Sequence, residues 1–151
     1  GRKYATECAT AMMIVYYRAL SQVLGKDLFD KMFPGIYLMD WYIRHTVLDS
    51  IGTPIKVDDK LIGDRGYFNN PDVDPEHPEW QGENVIILPN DKFYGHGVGV
   101  TTAERIIDSL NHSRKKDPTE VAYFMDEVSR PDFKLIYNKS EKVKNDMTSQ
   151  S

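Results

Sequence analysis

Residues 84–96, which read NVIILPNDKFYGH, decide the fold that we expect for this chain. Two short apolar runs flank the turn-forming segment PND at residues 89–91, a pattern typical of a β-hairpin with a short connection. The two strands of such a hairpin are antiparallel. Its two open ends would carry Glu83 and His96.

A long helix is predicted nearer the N-terminus, over residues 7–24. Thr6 can serve as its N-cap, and Gly25 is a natural C-terminal stop. The first half of this helix is apolar on nearly every side, which is typical of a helix whose start is buried. Cys8, the single cysteine of the chain, would therefore lie at the buried start of this helix.

Turn signals and hydrophobic periodicity predict further elements along the chain. A capping box at residues 101–104 indicates a helix that runs to about residue 113. The segment 35–40 is ambiguous between strand and helix, and residues 52–54 indicate a loop. We also expect a short helix over 26–33, strands over 64–68 and 121–125, and an irregular loop over 69–78.

Length and composition favour one globular domain. The chain has 151 residues with 40% hydrophobic content, which suits a core of moderate size. We assign residues 1–137 to this domain. Residues 138–151 contain little apolar surface and are expected to form a polar, disordered tail.

Charge and cysteine content exclude several classes of protein. The formal net charge is −4 and the basic residues are scattered, so we expect no nucleic-acid partner. Arg18 interrupts the longest apolar run, which is too short to span a membrane. A single cysteine cannot form a disulfide scaffold or a zinc site of the CxxC type.

Cys8 is a candidate nucleophile. Free cysteines are commonly small buried hydrophobic residues, and Ala9 and Met12 would suit an inert core. A thiol in the first turn of a helix, however, is near free N–H groups and the positive end of the helix dipole, which favour the thiolate. Glu7 has a simpler reading as well, because acidic residues stabilise the first helical turn.

A nucleophilic thiol needs a proton-transfer partner, which is usually histidine and sometimes a carboxylate in an apolar site. Glu83 leads into an apolar strand close to Trp80, a setting that raises a carboxyl pKa. It could equally be a charge at a strand end that reaches solvent. His96 lies between two glycines that allow close approach of a substrate, although these glycines could also mark a simple bend.

Four blocks of the sequence resemble the protein-glutamine gamma-glutamyltransferase family, the small calcium-independent transglutaminases of spore-forming bacilli. The blocks are YATECATAMMIVYYRAL, GDRGYFNNPDVDP, WQGENVIIL and NDKFYGHGVGV, in the order of the family. The resemblance implies an α+β fold with a papain-like core of the NlpC/P60 type. In this core an N-terminal catalytic helix packs on an antiparallel sheet.

The resemblance also implies roles for single residues. The nucleophile of the family matches Cys8, its main acid/base carboxylate matches Glu83, and a partly redundant carboxylate matches Glu7. His96 matches a histidine to which we assign a supporting role. Candidate wall, hydrogen-bonding and tunnel residues are Trp80, Asn84, Tyr94, Trp41 and Tyr42.

The implied reaction is acyl transfer between proteins. Cys8 would attack the γ-carboxamide of a glutamine, release ammonia and form a thioester, which a lysine amine then resolves. Glu83 would protonate the ammonia and deprotonate the amine, and the Cys8 N–H at the helix start would bind the oxyanion. The reaction needs no metal or other cofactor, and its partners are proteins that carry glutamine and lysine.

Three alternatives remain open at this stage. A secreted or injected effector domain could use the same residues as a transglutaminase or as a glutamine deamidase, with water in place of lysine. A peptidase or amidase would pair Cys8 with His96, and a binding module would leave Cys8 inert. The family resemblance implies a location in the spore coat or mother cell.

The start of the chain bears on these alternatives. Members of the family carry a long segment ahead of the cysteine block, whereas this chain begins seven residues before Cys8. We therefore expect a fragment or a domain of a longer protein.

Overall fold

The computed structural model describes the backbone of residues 2–34 and 55–150, and the side chains of residues 10–34 and 55–150. These residues form four α-helices and seven strands, and the strands are antiparallel and largely grouped together along the chain, so the fold is α+β. A single 3₁₀ turn, Pro78–Gln81, precedes the third strand. The elements are α1 (Arg2–Leu24), α2 (Lys26–Met32), β1 (Ile55–Lys56), β2 (Arg65–Asn69), β3 (Gly82–Leu88), β4 (Lys92–Gly95), β5 (Gly99–Thr102), α3 (Ala103–Asn111), β6 (Tyr123–Phe124), β7 (Glu127–Val128) and α4 (Phe133–Ser149).

Five strands form the main sheet, in the order β5-β4-β3-β2-β6, and every neighbouring pair is antiparallel. The strands β1 and β7 form a separate two-stranded pair. The centre of the main sheet is the hairpin of β3 and β4, in which Val85 lies opposite Gly95. The hairpin predicted from residues 84–96 is therefore confirmed.

The connection of this hairpin uses residues that tolerate a left-handed backbone. Asn90 has a φ of 59° and Asp91 a φ of 54°. Short polar side chains of this kind reach the left-handed region more readily than other non-glycine residues. The segment Pro89-Asn90-Asp91 therefore reverses the chain and fixes the register of the two strands.

Helices cover both faces of the main sheet. Val85 and Ile86 are neighbours on β3 and point to opposite faces, and each belongs to a different hydrophobic cluster. The Ile86 cluster joins the sheet to α1, α2 and α4 through buried residues that include Met12, Met13, Tyr16, Tyr17, Met32, Phe33 and Ile136. The Val85 cluster joins the sheet to α3 through Phe68, Ile106, Leu110 and Ala122.

The end of α1 was predicted correctly, but its start was not. The helix ends at Leu24, and Gly25 takes a φ of 80°. It begins at Arg2, before the predicted cap Thr6, because residues 2–5 contain no helix breaker. Cys8 therefore lies in the second turn of α1, beyond the free N–H groups of the first turn, and the oxyanion donor predicted from a helix start at Cys8 is wrong.

Several shorter elements agree with the predictions. The short helix after Gly25, the strand before the irregular loop and the strand near residue 123 are present. The capping box at residues 101–104 is wrong in detail, because Thr102 is the N-cap of α3 and its hydroxyl accepts from the Arg105 N–H. The strand near residue 123 is also not the last one, since β7 follows it.

The predicted disordered tail is wrong for residues 138–149, which lie in α4. The Asp132 side chain caps this helix by accepting from the Leu135 N–H at 2.9 Å. Ile136 and Ser140 are buried, and Val143 packs against the Ile86 cluster. This apolar stripe docks the helix even though its overall composition is polar.

Two groups of expectations lie outside the described residues. They are the segment 35–40 and the loop at 52–54, together with the tunnel candidates Trp41 and Tyr42. None of the described helices is both long enough and apolar enough to cross a membrane.

Candidate active site

Glu83 is the second residue of β3 and is buried, with an exposed fraction of 7%. It lies opposite Phe68 of β2, so both side chains share one face of the sheet. This face also carries Val85 and is covered by α3. A carboxylate in such surroundings loses most of its hydration.

The turn between β4 and β5 holds the Glu83 carboxylate. The Gly97 N–H donates to Glu83 Oε1 at 3.0 Å, and within the described part of the chain it is the only hydrogen bond to this side chain. Gly95 packs against the same group: a Cβ at this position would lie 2.6 Å from Glu83 Oε1 and 2.8 Å from Val98 Cγ2. Backbone without a side chain is therefore required beside Glu83.

Burial raises the pKa of Glu83 above the ordinary value for a glutamate. The Gly97 hydrogen bond and the charge of His96 act in the opposite direction and partly offset this effect. The direction agrees with the prediction from sequence. A carboxyl group whose pKa moves toward neutral pH can both donate and accept a proton there.

His96 is exposed and lies in the turn between β4 and β5. The structure brings it close enough to Glu83 for its charge to act on the carboxylate. The prediction that the two residues occupy the open ends of the hairpin is confirmed by the pairing of Val85 with Gly95.

Asn84 and Tyr94 lie on the face of the sheet opposite Glu83. Tyr94 pairs with Ile86 and packs against the Ile86 cluster. Asn84 pairs with Tyr67 and lines a cleft of about 290 Å³. These two candidates are therefore separated from Glu83 by the sheet.

Trp80 lies in the 3₁₀ turn that leads into β3 and has an exposed fraction of 38%. Its backbone carbonyl accepts from Asn70 Nδ2 at 3.0 Å. The turn places Trp80 three residues before Glu83 along the chain. Its backbone is therefore fixed, while its indole is partly open to solvent.

Glu7 and Cys8 lie on α1. The later turns of this helix pack on the face that carries Ile86, opposite to the Glu83 side chain. Among the predicted site residues whose side chains are described, Glu83 and His96 lie close to each other.

Asn70, which is fully buried next to the end of β2, was not predicted as a site residue. In sequence it is one of several polar residues in a turn-rich segment, and nothing local distinguishes it from an exposed turn residue. Gly97 was not predicted either, because it acts through its backbone N–H, which every non-proline residue carries. Within residues 10–34 and 55–150, no cluster of three His, Asp or Glu side chains could hold a metal ion.

Comparison with solved structures places this fold in the class of bacterial transglutaminases. The structure resembles "Transglutaminase from Geobacillus stearothermophilus (without C-terminal extension)" with a TM-score of 0.68 and 40% sequence identity. The match covers 89% of this chain and 61% of that chain. The family model for protein-glutamine gamma-glutamyltransferase (TGL) matches residues 1–140, and the chain belongs to this family.

Relatives in Bacillus carry the same name. The chain is 40% identical over 138 residues to the protein-glutamine gamma-glutamyltransferase of Bacillus subtilis (strain 168), which covers 91% of this chain and 54% of the relative. It is 42% identical over 136 residues to that of Bacillus cereus (strain AH820), which covers 90% of this chain and 48% of the relative. The chain thus spans about half the length of these relatives, and the predicted family resemblance is confirmed.

Proposed function

We propose that this chain carries the catalytic centre of a protein-glutamine gamma-glutamyltransferase, which cross-links protein glutamine to protein lysine. The observation that carries the proposal is the buried Glu83 carboxyl group, anchored on Gly97, with a pKa raised by its surroundings. Family membership supplies the reaction for which such a group is suited.

In the proposed reaction, the thiolate of Cys8 attacks the γ-carboxamide carbon of a glutamine. The C–N bond breaks, Glu83 donates a proton to the departing nitrogen, and ammonia leaves behind a thioester on the sulfur. A lysine ammonium then transfers a proton to the Glu83 carboxylate. The free amine attacks the thioester carbonyl, the C–S bond breaks and an isopeptide bond forms. The nitrogen gives up its second proton to solvent, where the released ammonia takes up a proton, and the Cys8 thiolate is regenerated.

The contrast between Glu83 and His96 supports a Cys-Glu pair over a Cys-His pair. Glu83 is desolvated and fixed by a hydrogen bond, whereas His96 is exposed in a turn. A proton-transfer group works best when it is held in one geometry. A peptidase mechanism through His96 is therefore the weaker candidate, and we assign His96 an electrostatic role beside Glu83.

The other site residues keep the roles that the resemblance implies. We propose that Glu7 is a second carboxylate beside the nucleophile and that Trp80 forms a wall at the approach to Glu83. Asn84 and Tyr94 lie on the other face of the sheet, so we propose that any contact with substrate occurs from that side. The substrates are proteins that carry glutamine and lysine.

The finer fold and location are proposals as well. A helix packed on an antiparallel sheet supports a papain-like core of the NlpC/P60 type. The Bacillus origin of the relatives supports a role in the spore coat.

The test is incorporation of a fluorescent primary amine into a glutamine-rich acceptor protein, with release of ammonia followed in parallel. The chain is compared with Cys8→Ala, Glu83→Gln and His96→Ala. Glu104→Gln is the matched control, because Glu104 is an exposed carboxylate in the first turn of α3. We expect Cys8→Ala and Glu83→Gln to lose incorporation and Glu104→Gln to retain it.

Other outcomes distinguish the alternatives. Ammonia release without incorporation would indicate a deamidase, as expected of an effector domain that uses water. Loss of turnover in His96→Ala together with full activity of Glu83→Gln would overturn the assignment of Glu83 and indicate a Cys-His enzyme.

A further inference from the structure

Asn70 connects three parts of the fold. Its side chain is fully buried between the end of β2, the 3₁₀ turn Pro78–Gln81 and the last turn of α3. Nδ2 donates to the Trp80 carbonyl at 3.0 Å and to the Leu110 carbonyl at 2.9 Å. The Asn70 backbone N–H donates to the Gln81 carbonyl at 2.8 Å, which extends the pairing of β2 with β3 by one residue.

The amide group suits this position because it supplies two N–H donors from one atom. Both acceptors are main-chain carbonyls, so the orientation of the amide is fixed by its partners. An aspartate would present only oxygens to these carbonyls, and a serine would supply one donor. Among the described residues, the amide oxygen Oδ1 is buried without a hydrogen-bond partner, which indicates that the donors rather than the oxygen are required here.

Asn70 bonds to two consecutive residues that directly precede β3. Its side chain donates to the Trp80 carbonyl, and its backbone N–H donates to the Gln81 carbonyl. Only Gly82 separates them from Glu83. A Cβ at Gly82 would collide with the Phe68 carbonyl and with the Tyr67 ring, so the backbone at this point has no free space. The direction in which β3 leaves the turn therefore follows from the bonds at Asn70.

We propose that Asn70 is a positioning residue for the Glu83 carboxylate, acting through the Trp80–Gln81 backbone. This inference rests on the acid/base role proposed for Glu83. The carboxylate itself is held by the Gly97 N–H. Glu83 is thus fixed from two sides, by Asn70 through the main chain and by Gly97 through a direct hydrogen bond.

The test compares Asn70→Ala and Asn70→Ser with a matched control, Asn111→Ala. Asn111, like Asn70, uses its side-chain amide to bond to the main chain. It is the last residue of α3, and its Oδ1 accepts from the Ala122 N–H, in the loop before β6, at 2.8 Å. That loop leads to β6, which is separated from β3 by the intervening strand β2. Loss of Asn111 is therefore expected to lower the melting temperature without moving Glu83.

Two readouts separate positioning from stability. The first is the titration of the Glu83 side-chain carboxyl followed by NMR in ¹³C-labelled protein, which needs no enzymatic activity. Among the titratable groups described, His96 is the one whose charge acts on Glu83, so His96→Ala is titrated alongside. The second is kcat and KM for amine incorporation.

We expect Asn70→Ala to move the Glu83 titration toward that of an ordinary glutamate and to lower kcat by about 10- to 100-fold, since small misplacements of a catalytic group cost this much. KM for the amine should rise by a smaller factor than kcat falls, because Trp80, whose carbonyl loses the Asn70 hydrogen bond, is also the proposed wall at the approach to Glu83. Asn70→Ser should fall between wild type and Asn70→Ala, and Asn111→Ala should match wild type in both readouts.

A folded Asn70→Ala with wild-type titration and wild-type kcat would overturn the inference. If Asn70→Ala does not fold, Asn70→Ser decides in the same way. Failure of both variants to fold would make Asn70 a stability residue and overturn its positioning role. Full activity of Glu83→Gln would instead contradict the proposed function, and the NMR titration would still report whether Asn70 sets the place of Glu83.

Discussion

At the scale of single residues, backbone groups hold the Glu83 carboxyl group. Gly97 supplies its N–H, and Gly95 leaves the space that the carboxylate fills. Burial of Glu83 was one of two outcomes that the sequence left open, because a carboxylate before an apolar strand can either follow that strand into the core or reach solvent. Its contact with Gly97 could not be predicted, since it depends on the register of two strands and on an atom common to all non-proline residues.

The first prediction concerns Glu83→Gln and stability. Because the pKa of Glu83 is raised in the folded protein, the folded state keeps a proton that the unfolded chain releases. Wild type therefore loses stability as the pH rises from the ordinary glutamate value through the raised one. Glutamine has no such penalty and can still accept from Gly97, so Glu83→Gln should unfold at higher urea than wild type at pH 8.

The difference in urea midpoint should become small by about pH 4, close to the ordinary glutamate pKa, because the carboxyl group is then mostly protonated in both the folded and the unfolded state. Unfolding curves at pH 4, 6 and 8 check this, with Glu104→Gln as an exposed control. A constant difference between Glu83→Gln and wild type across this range would contradict the pKa direction assigned to Glu83.

The second prediction concerns Gly95→Ala. The added methyl group would lie 2.6 Å from Glu83 Oε1 and 2.8 Å from Val98 Cγ2, so at least one of these side chains must move. Overpacking of this kind costs about 1–3 kcal/mol in the free energy of unfolding. We expect this loss together with loss of amine incorporation.

A double variant separates the two contacts of Gly95. If displacement of Glu83 causes the loss of activity, adding Val98→Ala should restore stability in part but leave incorporation low. Recovery of full incorporation in Gly95→Ala/Val98→Ala would assign the defect to Val98 instead.

At the scale of elements, the helices show where local signals are sufficient and where they fail. Gly25 marks the end of α1 because it adopts a positive φ, and this was predictable. The start of α1 was not, since Thr6 has the chemistry of a cap but lies inside the helix. For α4 the polar composition concealed an apolar stripe that only its tertiary contacts reveal.

The third prediction tests the docking of α4 with two adjacent residues. Ile136 is 5% exposed and contacts the Ile86 cluster, whereas Leu135 is 45% exposed. Ile136→Ala should lower the free energy of unfolding by about 2–4 kcal/mol. Leu135→Ala should change it by less than about 0.5 kcal/mol.

Chemical denaturation of both variants provides the measurement. Equal and small effects of Ile136→Ala and Leu135→Ala would show that α4 is not part of the cooperative fold. In that case the prediction of a disordered tail over residues 138–151 would be correct after all.

At the scale of the whole molecule, Asp72 connects the loop after β2 to the irregular segment between α3 and β6. Its carboxylate pairs with Lys115 at 2.7 Å and accepts from the backbone N–H groups of Thr119 at 2.6 Å and Glu120 at 2.8 Å. These contacts, led by that with Lys115, hold the pKa of Asp72 well below its usual range. Such long-range partners could not be predicted from the residues around Asp72.

The fourth prediction follows from this lowered pKa. The unfolded chain binds the Asp72 proton more readily than the folded protein, so its contribution to stability is complete above the ordinary aspartate pKa of about 4 and is lost as the pH falls toward the folded value. Asp72→Asn should therefore unfold at lower urea than wild type at pH 7, and the two should converge as the pH falls below about 4.

Asp126→Asn is the control for Asp72→Asn, because Asp126 is exposed. Its urea midpoint should follow that of wild type across the pH range. If Asp72→Asn and wild type differ equally at pH 3 and pH 7, the effect of Asp72 on stability comes from packing and not from its charge.

The connection Pro89-Asn90-Asp91 has a consequence for how this hairpin can vary in length. Side chains alternate between the two faces of a strand, so one residue inserted between this connection and Glu83 would turn the carboxyl group into the opposite layer, among the helices α1, α2 and α4. Two inserted residues would restore the face but shift the carboxyl group by about 7 Å along the strand. Only an even number of inserted residues between this connection and Glu83 therefore keeps the carboxyl group on its face of the sheet. We expect insertions and deletions among related proteins to lie outside β3 and β4.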